Sequence, residues 1–437
     1  MRVDTYKVVH WMNVRKVTAE QVAKAAGSEL DRLLAAGTVE DWPDEAAAAV
    51  AGFLRIEPEQ FIASGRRDLT VLTRSGTELR ATRRPIRRDG IHFYNYYTMA
   101  APPGAVAPVI LDILCPADRI PALNNGHLEP AITVNLGPGA IHGRWGTELT
   151  DATWQVMRAN SGPDDWIVGD SYVEPSYCPH SYSLASGTSA RIVSYTGQSN
   201  LAALLEEIND WATPAADAVF ARLDDGLTPA VLAELLLARR GHTVDSAAAV
   251  LDIPGCAVTS ALDGGNLTVL RDLGRTFGFD YRLLLWSERR HDSVGKTYCD
   301  VEDCRKDVRR FQGYEVASMA SAPHLPDLTG LFVRVDGDGG AELREPAETH
   351  YLVTRGEVVL DWTDADSTRR RAHLDPDSTA WVGPFVAHRW SGNGALVKLG
   401  SGRHLGYLDL VELANTYAAA ATLRRGRRNG RSWGYDS

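Results

Sequence analysis

A helical stretch followed by short β-branched and aromatic runs occurs twice along this chain, and that internal duplication restricts the fold more than any other feature of the sequence. Val14-Arg15-Lys16-Val17-Thr18 aligns with Arg239-Arg240-Gly241-His242-Thr243, each leading into an Ala-rich helix. Tyr94-Asn95-Tyr96-Tyr97-Thr98-Met99-Ala100 aligns with Tyr314-Glu315-Val316-Ala317-Ser318-Met319-Ala320. Asn124-Asn125-Gly126-His127 aligns with Ala347-Glu348-Thr349-His350, and Tyr172-Val173-Glu174-Pro175 to His180 with Trp381-Val382-Gly383-Pro384 to His388. At 437 residues the chain is too long for one ordinary core, so two halves of like construction are expected.

Each half starts helical. Thr18-Ala19-Glu20-Gln21 is a capping box, Gly27 closes that helix, Ser28 caps a second over 28–36, and 44–54 is Ala-rich and helix-permissive. This is a helix-turn-helix-like module. From Leu69 the pattern turns to short strands at 69–72, 91–98, 109–114, 131–135 and 190–195, separated by Gly/Pro turns, which predicts a sandwich or barrel. The expected fold class is α+β, a helical module plus a β-barrel, duplicated. The expected domains are a helical module at 1–66, a first barrel carrying the functional site at 67–200, and a linker helix with the second helical module at 201–290. A second barrel at 291–422 and a basic tail at 423–437 follow, the tail read as solvated or as a subunit contact.

The first barrel carries chemistry. His127, Glu174 and His180 are two histidines and a carboxylate on separate short β-like runs, the donor set of a non-haem Fe(II) site with positions left open for substrate and O₂. The two segments resemble the metal-binding segments of cupin barrels, with Glu129 standing where the second histidine of the first cupin segment is usual. Glu129 competes with Glu174, because two residues from His127 on a strand it faces the same way. Glu174 is preferred, since Pro130 disturbs the ladder beside Glu129 and the repeat also points to Glu174. The second half keeps His350 and His388 but aligns Gly383 with Glu174, which makes a poor Fe(II) site and a structural, degenerate barrel. Three other groups are specific to the first half: Lys16 faces Gly241, Tyr96 faces Val316 and Asn124 faces Ala347. Singly they read as a solvated helix end, a strand core residue and a turn former. Jointly, and with Arg88 before the tyrosine-rich strand, they are a cation, a phenol, an amide and a guanidinium suited to an anionic substrate.

Charge limits the partners. With 46 basic against 56 acidic residues and a net charge of −10, nucleic acid or an anionic membrane is disfavoured. The N-terminus lacks a signal-peptide apolar core and no run approaches the ~18 apolar residues of a membrane span, so a cytoplasmic protein is expected. The five cysteines (115, 178, 256, 299 and 304) lack paired CxxC spacing, which argues against a disulfide framework or zinc cluster.

The runs Arg88-Asp89-Gly90-Ile91-His92-Phe93-Tyr94-Asn95-Tyr96-Tyr97, Leu123-Asn124-Asn125-Gly126-His127-Leu128-Glu129-Pro130 and Tyr172-Val173-Glu174-Pro175-Ser176-Tyr177-Cys178-Pro179-His180, with the Trp433-Gly434-Tyr435-Asp436 ending, closely resemble the family of 2-hydroxyethylphosphonate dioxygenases and methylphosphonate synthases. The resemblance covers essentially the whole chain and implies a tandem cupin, or bicupin. It implies one Fe(II) per chain on His127, Glu174 and His180, with Lys16, Arg88, Tyr96 and Asn124 as catalytic and substrate-binding residues and His180 also facing substrate. It implies O₂-dependent cleavage of 2-hydroxyethylphosphonate to hydroxymethylphosphonate and formate in phosphonate antibiotic biosynthesis, without 2-oxoglutarate, by a protein that is compatible with a homo-oligomer. Methylphosphonate is the alternative product. Two other classes compete: a helix-turn-helix/cupin ligand-sensing regulator, which would need a basic recognition helix, and a metal-dependent isomerase or epimerase, which would consume no O₂.

Overall fold

The structure, a computed structural model, describes the chain apart from residues 28–38, 64–69, 89, 104, 148, 150–152, 198, 200, most of 202–227, 265, 286–291, 401–406, 417 and 423–437. The helix expected over 28–36, almost all of the 201–224 connector, the basic tail and the Trp433-Gly434-Tyr435-Asp436 ending lie outside the described residues.

The N-terminal unit follows its capping signals. A short antiparallel pair, β1 (Arg2–Asp4) with β2 (Val39–Asp41), flanks α1 (Thr5–Arg15), α2 (Ala19–Ala26) and α3 (Asp44–Leu54). The Thr18 hydroxyl accepts from the Gln21 amide at 3.2 Å while the Thr18 amide donates to Gln21 Oε1 at 2.9 Å, and Gly27 closes α2 at φ +65°. Val8, Met12, Val22, Trp42, Val50, Leu54 and Phe61 form its core.

Next come β3 (Val71–Arg74), α4 (Gly76–Ala81) and the first barrel: β4 (Arg84–Arg88), β5 (Ile91–Thr98), β6 (Val109–Ile113), β7 (Ala131–Pro138), β8 (Ile141–Trp145), β9 (Thr153–Met157), β10 (Ser171–Glu174), β11 (His180–Leu184) and β12 (Ala190–Thr196). The second half opens with α5 (Pro229–Ala238), α6 (Val244–Val250), α7 (Gly255–Leu262) and α8 (Leu267–Phe277), packed around Leu237, Val258, Leu273 and Phe277. Its strands are β13 (Thr297–Cys299), β14 (Arg309–Phe311), β15 (Tyr314–Ser318), β16 (Thr329–Val335), β17 (Thr349–Thr363), β18 (Arg369–Leu374), β19 (Thr379–Val382) and β20 (His388–Gly400), with α9 (Val301–Lys306) after β13.

The halves exchange strands. One sheet runs β13-β10-β7-β12-β6-β5-β4, facing the three-stranded β11-β8-β9, and the second barrel runs β14-β15-β16-β20-β17-β19-β3 with β18 on β17. Thus β13 pairs with β10 through Tyr172↔Tyr298, and β3 pairs with β19 through Trp381↔Leu72. The sequence pattern puts the 69–72 run in the first barrel and residues 291–422 in the second; β3 and β13 instead each join the opposite barrel. The physical reason is edge protection: without these partners β10 and β19 would present unpaired backbone groups, and local periodicity does not say which sheet a short strand completes.

A shared core lies between the barrels. Ile132, Val134, Val193 and Tyr195 of the first meet Phe332, Leu352, Val397 and Leu399 of the second, with Met99 and Met319 between them. Each such fully buried apolar side chain contributes about 1.5–3 kcal/mol relative to exposure, so this shared core holds the two barrels together. Among the described residues no helix is long and apolar enough to cross a membrane.

Candidate metal centre

Three elements deliver three side chains to one point. Glu174 ends β10, held in the sheet by Glu174↔Ala131, and is 1% exposed. His180 starts β11 and pairs with Trp145 of β8. His127 lies on the 121–130 loop, whose shape is fixed by Gly126 at φ +72°; a Cβ there would stand 2.6 Å from the Tyr177 carbonyl carbon, so the loop packs this closely only with glycine. The Tyr177 amide then donates to the His127 carbonyl at 2.7 Å.

One ligand atom from each of His127, Glu174 and His180 lies within 4.8 Å of the others, and this is the group of that kind among the described residues. Both imidazoles are fixed as the same tautomer. His127 Nδ1 faces the Glu129 carbonyl and His180 Nδ1 faces the Cys178 carbonyl at 3.0 Å and Glu174 Oε2 at 3.4 Å, so each Nδ1 carries the proton; the His127 Nε2 lone pair is turned to Glu174 and that of His180 accepts from the Asn124 side-chain amide. His127 Nε2 stands 3.3 Å from Glu174 Oε1. In neutral His127 this sets a bare imidazole nitrogen against a carboxylate oxygen, two acceptors that call for either a proton or a metal cation between them. Burial works against a charged His127, yet the hydrogen bond and negative charge of Glu174 outweigh it and raise the imidazole above its ordinary range.

Of the two competing carboxylates, Glu174 is the one in this group; Glu129 supplies its main-chain carbonyl to His127 instead. Glu174 Oε2 accepts the Trp145 indole N–H at 3.3 Å, and Trp145 packs edge-on against Tyr172 at 4.9 Å. Tyr172 and Tyr182 share a buried hydroxyl–hydroxyl hydrogen bond, with burial pushing both phenols well above their usual range.

The remaining sequence candidates divide. Asn124 touches the triad: its Nδ2 is 3.0 Å from His180 Nε2, and its Oδ1 accepts from the amides of His180 at 3.1 Å and Gly126 at 2.8 Å. Tyr96 is half-buried on β5 on the same face as Tyr94, with Arg84 over its ring at 5.4 Å, and packs in the aromatic core that also holds Trp145, Tyr172 and Tyr182. Lys16 is exposed and follows α1 at φ +56°. The Arg88 backbone pairs with Ile91 in β4, and its side chain lies outside the described residues. The described contacts of the triad thus include Asn124 and Trp145 but neither Lys16 nor Arg88. Trp145 was missed because an indole carries no ligand chemistry and nothing in its flanking residues sets it apart.

The strand registers test the repeat. Lys16 and Gly241 occupy the same left-handed position, at φ +56° and +75°, each just before a capping threonine. Tyr96 pairs with Leu111 as Val316 pairs with Val333, and His180 pairs with Trp145 as His388 with Trp362. The pairing of His127 with His350 fails. His350 sits within β17 opposite Trp381, where the first barrel has Ile132 opposite Val173. The residue at the His127 place is Glu345, whose carbonyl accepts from Phe385 (φ +60°) at 2.7 Å as that of His127 accepts from Tyr177 (φ +55°), and Val382 rather than Gly383 is level with Glu174. Glu345 is paired with Lys398 at 2.5 Å, and His388 Nε2 is bonded to the Tyr351 hydroxyl at 2.9 Å. His350 and His388 therefore stand at opposite ends of β17, against Leu399 and Trp362 of the neighbouring ladder.

A sequence model of the 2-hydroxyethylphosphonate dioxygenase cupin-like domain matches residues 80–197. The chain is 57% identical, over an alignment of 446 residues covering 100% of both proteins, to the 2-hydroxyethylphosphonate dioxygenase of Streptomyces viridochromogenes. Among solved structures it resembles a glutamate-to-histidine variant of 2-hydroxyethylphosphonate dioxygenase at 56% identity and a TM-score of 0.87, covering 97% of this chain and 100% of that one. It also shares its fold with a Streptomyces albus enzyme of that name, solved with 2-hydroxyethylphosphonate and Fe(II) bound, at 18% identity and a TM-score of 0.78 over 98% of each chain.

Proposed function

The chain belongs to the 2-hydroxyethylphosphonate dioxygenase family, and from that membership we propose that it oxidises 2-hydroxyethylphosphonate with O₂ at one Fe(II) per chain. The observation that carries this is the convergence of His127, Glu174 and His180, with each Nδ1 held by a main-chain carbonyl, in a chain aligned end to end with such an enzyme. The regulator reading finds no support in these relatives.

The residues would act as follows. Fe(II) on the three ligands supplies Lewis acidity toward substrate oxygens and electron transfer with O₂. Glu174 brings one negative charge into a buried pocket, so a dianionic phosphonate needs added cations and donors, the role assigned to Lys16, Arg88, the Tyr96 hydroxyl and the Asn124 amide. Asn124 Nδ2, beside His180 Nε2, is placed to donate to a substrate oxygen at that edge of the centre. The buried aromatic wall of Trp145, Tyr172 and Tyr182 keeps water out and strengthens these interactions. Substrate and O₂ together contain all the atoms of hydroxymethylphosphonate and formate, and carbon supplies every electron, so no 2-oxoglutarate enters. We assign the reaction to phosphonate natural-product biosynthesis and the protein to the cytoplasm, and the second barrel to a structural role.

The test is anaerobic reconstitution with Fe(II), addition of 2-hydroxyethylphosphonate and air, and phosphorus NMR. Hydroxymethylphosphonate with formate is expected. Methylphosphonate would transfer the same centre to the synthase activity, and no turnover of this substrate would refute the assignment.

A further inference from the structure

Lys296 has no part in the chemistry above, yet its side chain is 3% exposed. A tight turn presents it: the Asp292 carboxylate accepts the Lys296 amide at 2.9 Å, and Gly295 stands at φ +80°. The ammonium is ion-paired with Asp292 at 3.0 Å and donates to Gln155 Oε1 at 2.8 Å. A charge taken this far out of water is kept only with such partners. Its remaining contacts are aromatic: Nζ lies 4.8 Å from the Trp145 ring centroid and 5.2 Å from that of Tyr298.

Trp145 is the residue whose indole N–H holds Glu174 Oε2, while Glu174 Oε1 faces His127 Nε2. We propose that Lys296 is a positioning residue for the metal centre, fixing Trp145 through its ring face so that the indole N–H retains Glu174 Oε2 and leaves Oε1 as the ligand oxygen. Two physical effects act in the same direction. The cation locks the ring plane, and by drawing electron density from the ring it makes the indole N–H a stronger donor. With Oε2 engaged, Glu174 occupies one ligand position and not two, which keeps positions for a chelating substrate and O₂. Lys296 also comes from the second half of the chain, on the turn that leads into the exchanged strand β13. The second half thereby contributes to a site whose ligands all lie in the first.

The inference rests on the metal-centre reading above, and the experiment separates the two. Fe(II) binding to the anaerobic full-length protein is titrated calorimetrically, and the ¹⁵N-labelled indole N–H resonances are recorded, that of Trp145 being identified by its loss in Trp145→Phe. Lys296→Met is expected to weaken Fe(II) binding about tenfold and to shift the Trp145 resonance, and Lys296→Arg to restore both. Trp145→Phe, which keeps an aromatic face without the N–H, is expected to weaken binding by the same order. Native affinity in folded Lys296→Met, or in folded Trp145→Phe, overturns the proposal. Failure of the native protein to bind Fe(II) would instead remove the metal-centre reading itself.

Discussion

Asn124 and His180 are joined by three contacts: the Asn124 amide donates to the His180 carbonyl at 3.0 Å, the His180 amide donates to Asn124 Oδ1 at 3.1 Å, and Asn124 Nδ2 meets His180 Nε2 at 3.0 Å. Backbone and side chain together therefore tie the loop that carries one metal ligand to the strand that carries another.

Replacing Asn124 by Ala should loosen that tie. The amides of His180 and Gly126 lose their acceptor, at about 1–3 kcal/mol each, and the His127 loop keeps only its main-chain bond to β11. Fe(II) affinity is expected to fall about tenfold or more by anaerobic titration, and unaltered affinity would remove Asn124 from the support of the centre.

The two carboxylates make opposite predictions. Glu174→Ala should abolish stoichiometric Fe(II), whereas Glu129→Ala should leave it, because Glu129 serves His127 through its main-chain carbonyl. Metal analysis after gel filtration decides this, and full iron occupancy in Glu174→Ala would contradict the assignment.

Arg88→Ala should act on substrate more than on chemistry. Loss of a charge-assisted contact to the phosphonate, ~1.5–3 kcal/mol, should appear as a KM increase larger than the fall in kcat. Steady-state O₂ uptake at varied 2-hydroxyethylphosphonate reads the split; an unchanged KM counts against the role.

His350 should make stability depend on pH. Burial depresses its imidazole from 6.5 to about 4, with Nδ1 facing the Ala100 carbonyl at 3.2 Å and the ring 5.0 Å from Tyr195. The neutral form is the folded form, so the unfolded chain takes up a proton first as pH falls below about 6.5. Stability contributed above that pH is lost progressively toward pH 4, on the order of 3 kcal/mol for this group. His350→Asn retains a donor for Ala100 without titrating, and denaturant unfolding between pH 7 and 4 should show a flatter profile for it. An identical profile would exclude His350 as the source.

Much of this was legible because the relevant forces are local. The Thr18 capping box, the Gly27 stop, the tyrosine-rich strand and the Glu174 to His180 segment all formed where their residues predicted. What escaped depends on contacts between distant segments. Residue identity made His350 the partner of His127, but hydrogen-bond register makes it the counterpart of Ile132. Nothing around Val71 or Tyr298 reveals that their strands complete the opposite barrel, and Lys296 acquires meaning only once folding brings it over Trp145.

The crossing of β3 and β13 has an evolutionary corollary. A duplicated domain that loses its ligands is ordinarily free to shrink or be deleted, as a spare part is. Here deletion of the second half would strip β10 of its β13 partner, leave Trp145 without the lysine over its ring, and leave β3 with no β19 to pair with. Once the two copies had traded strands, neither could be discarded without unpairing an edge of the other, whatever chemistry either one kept.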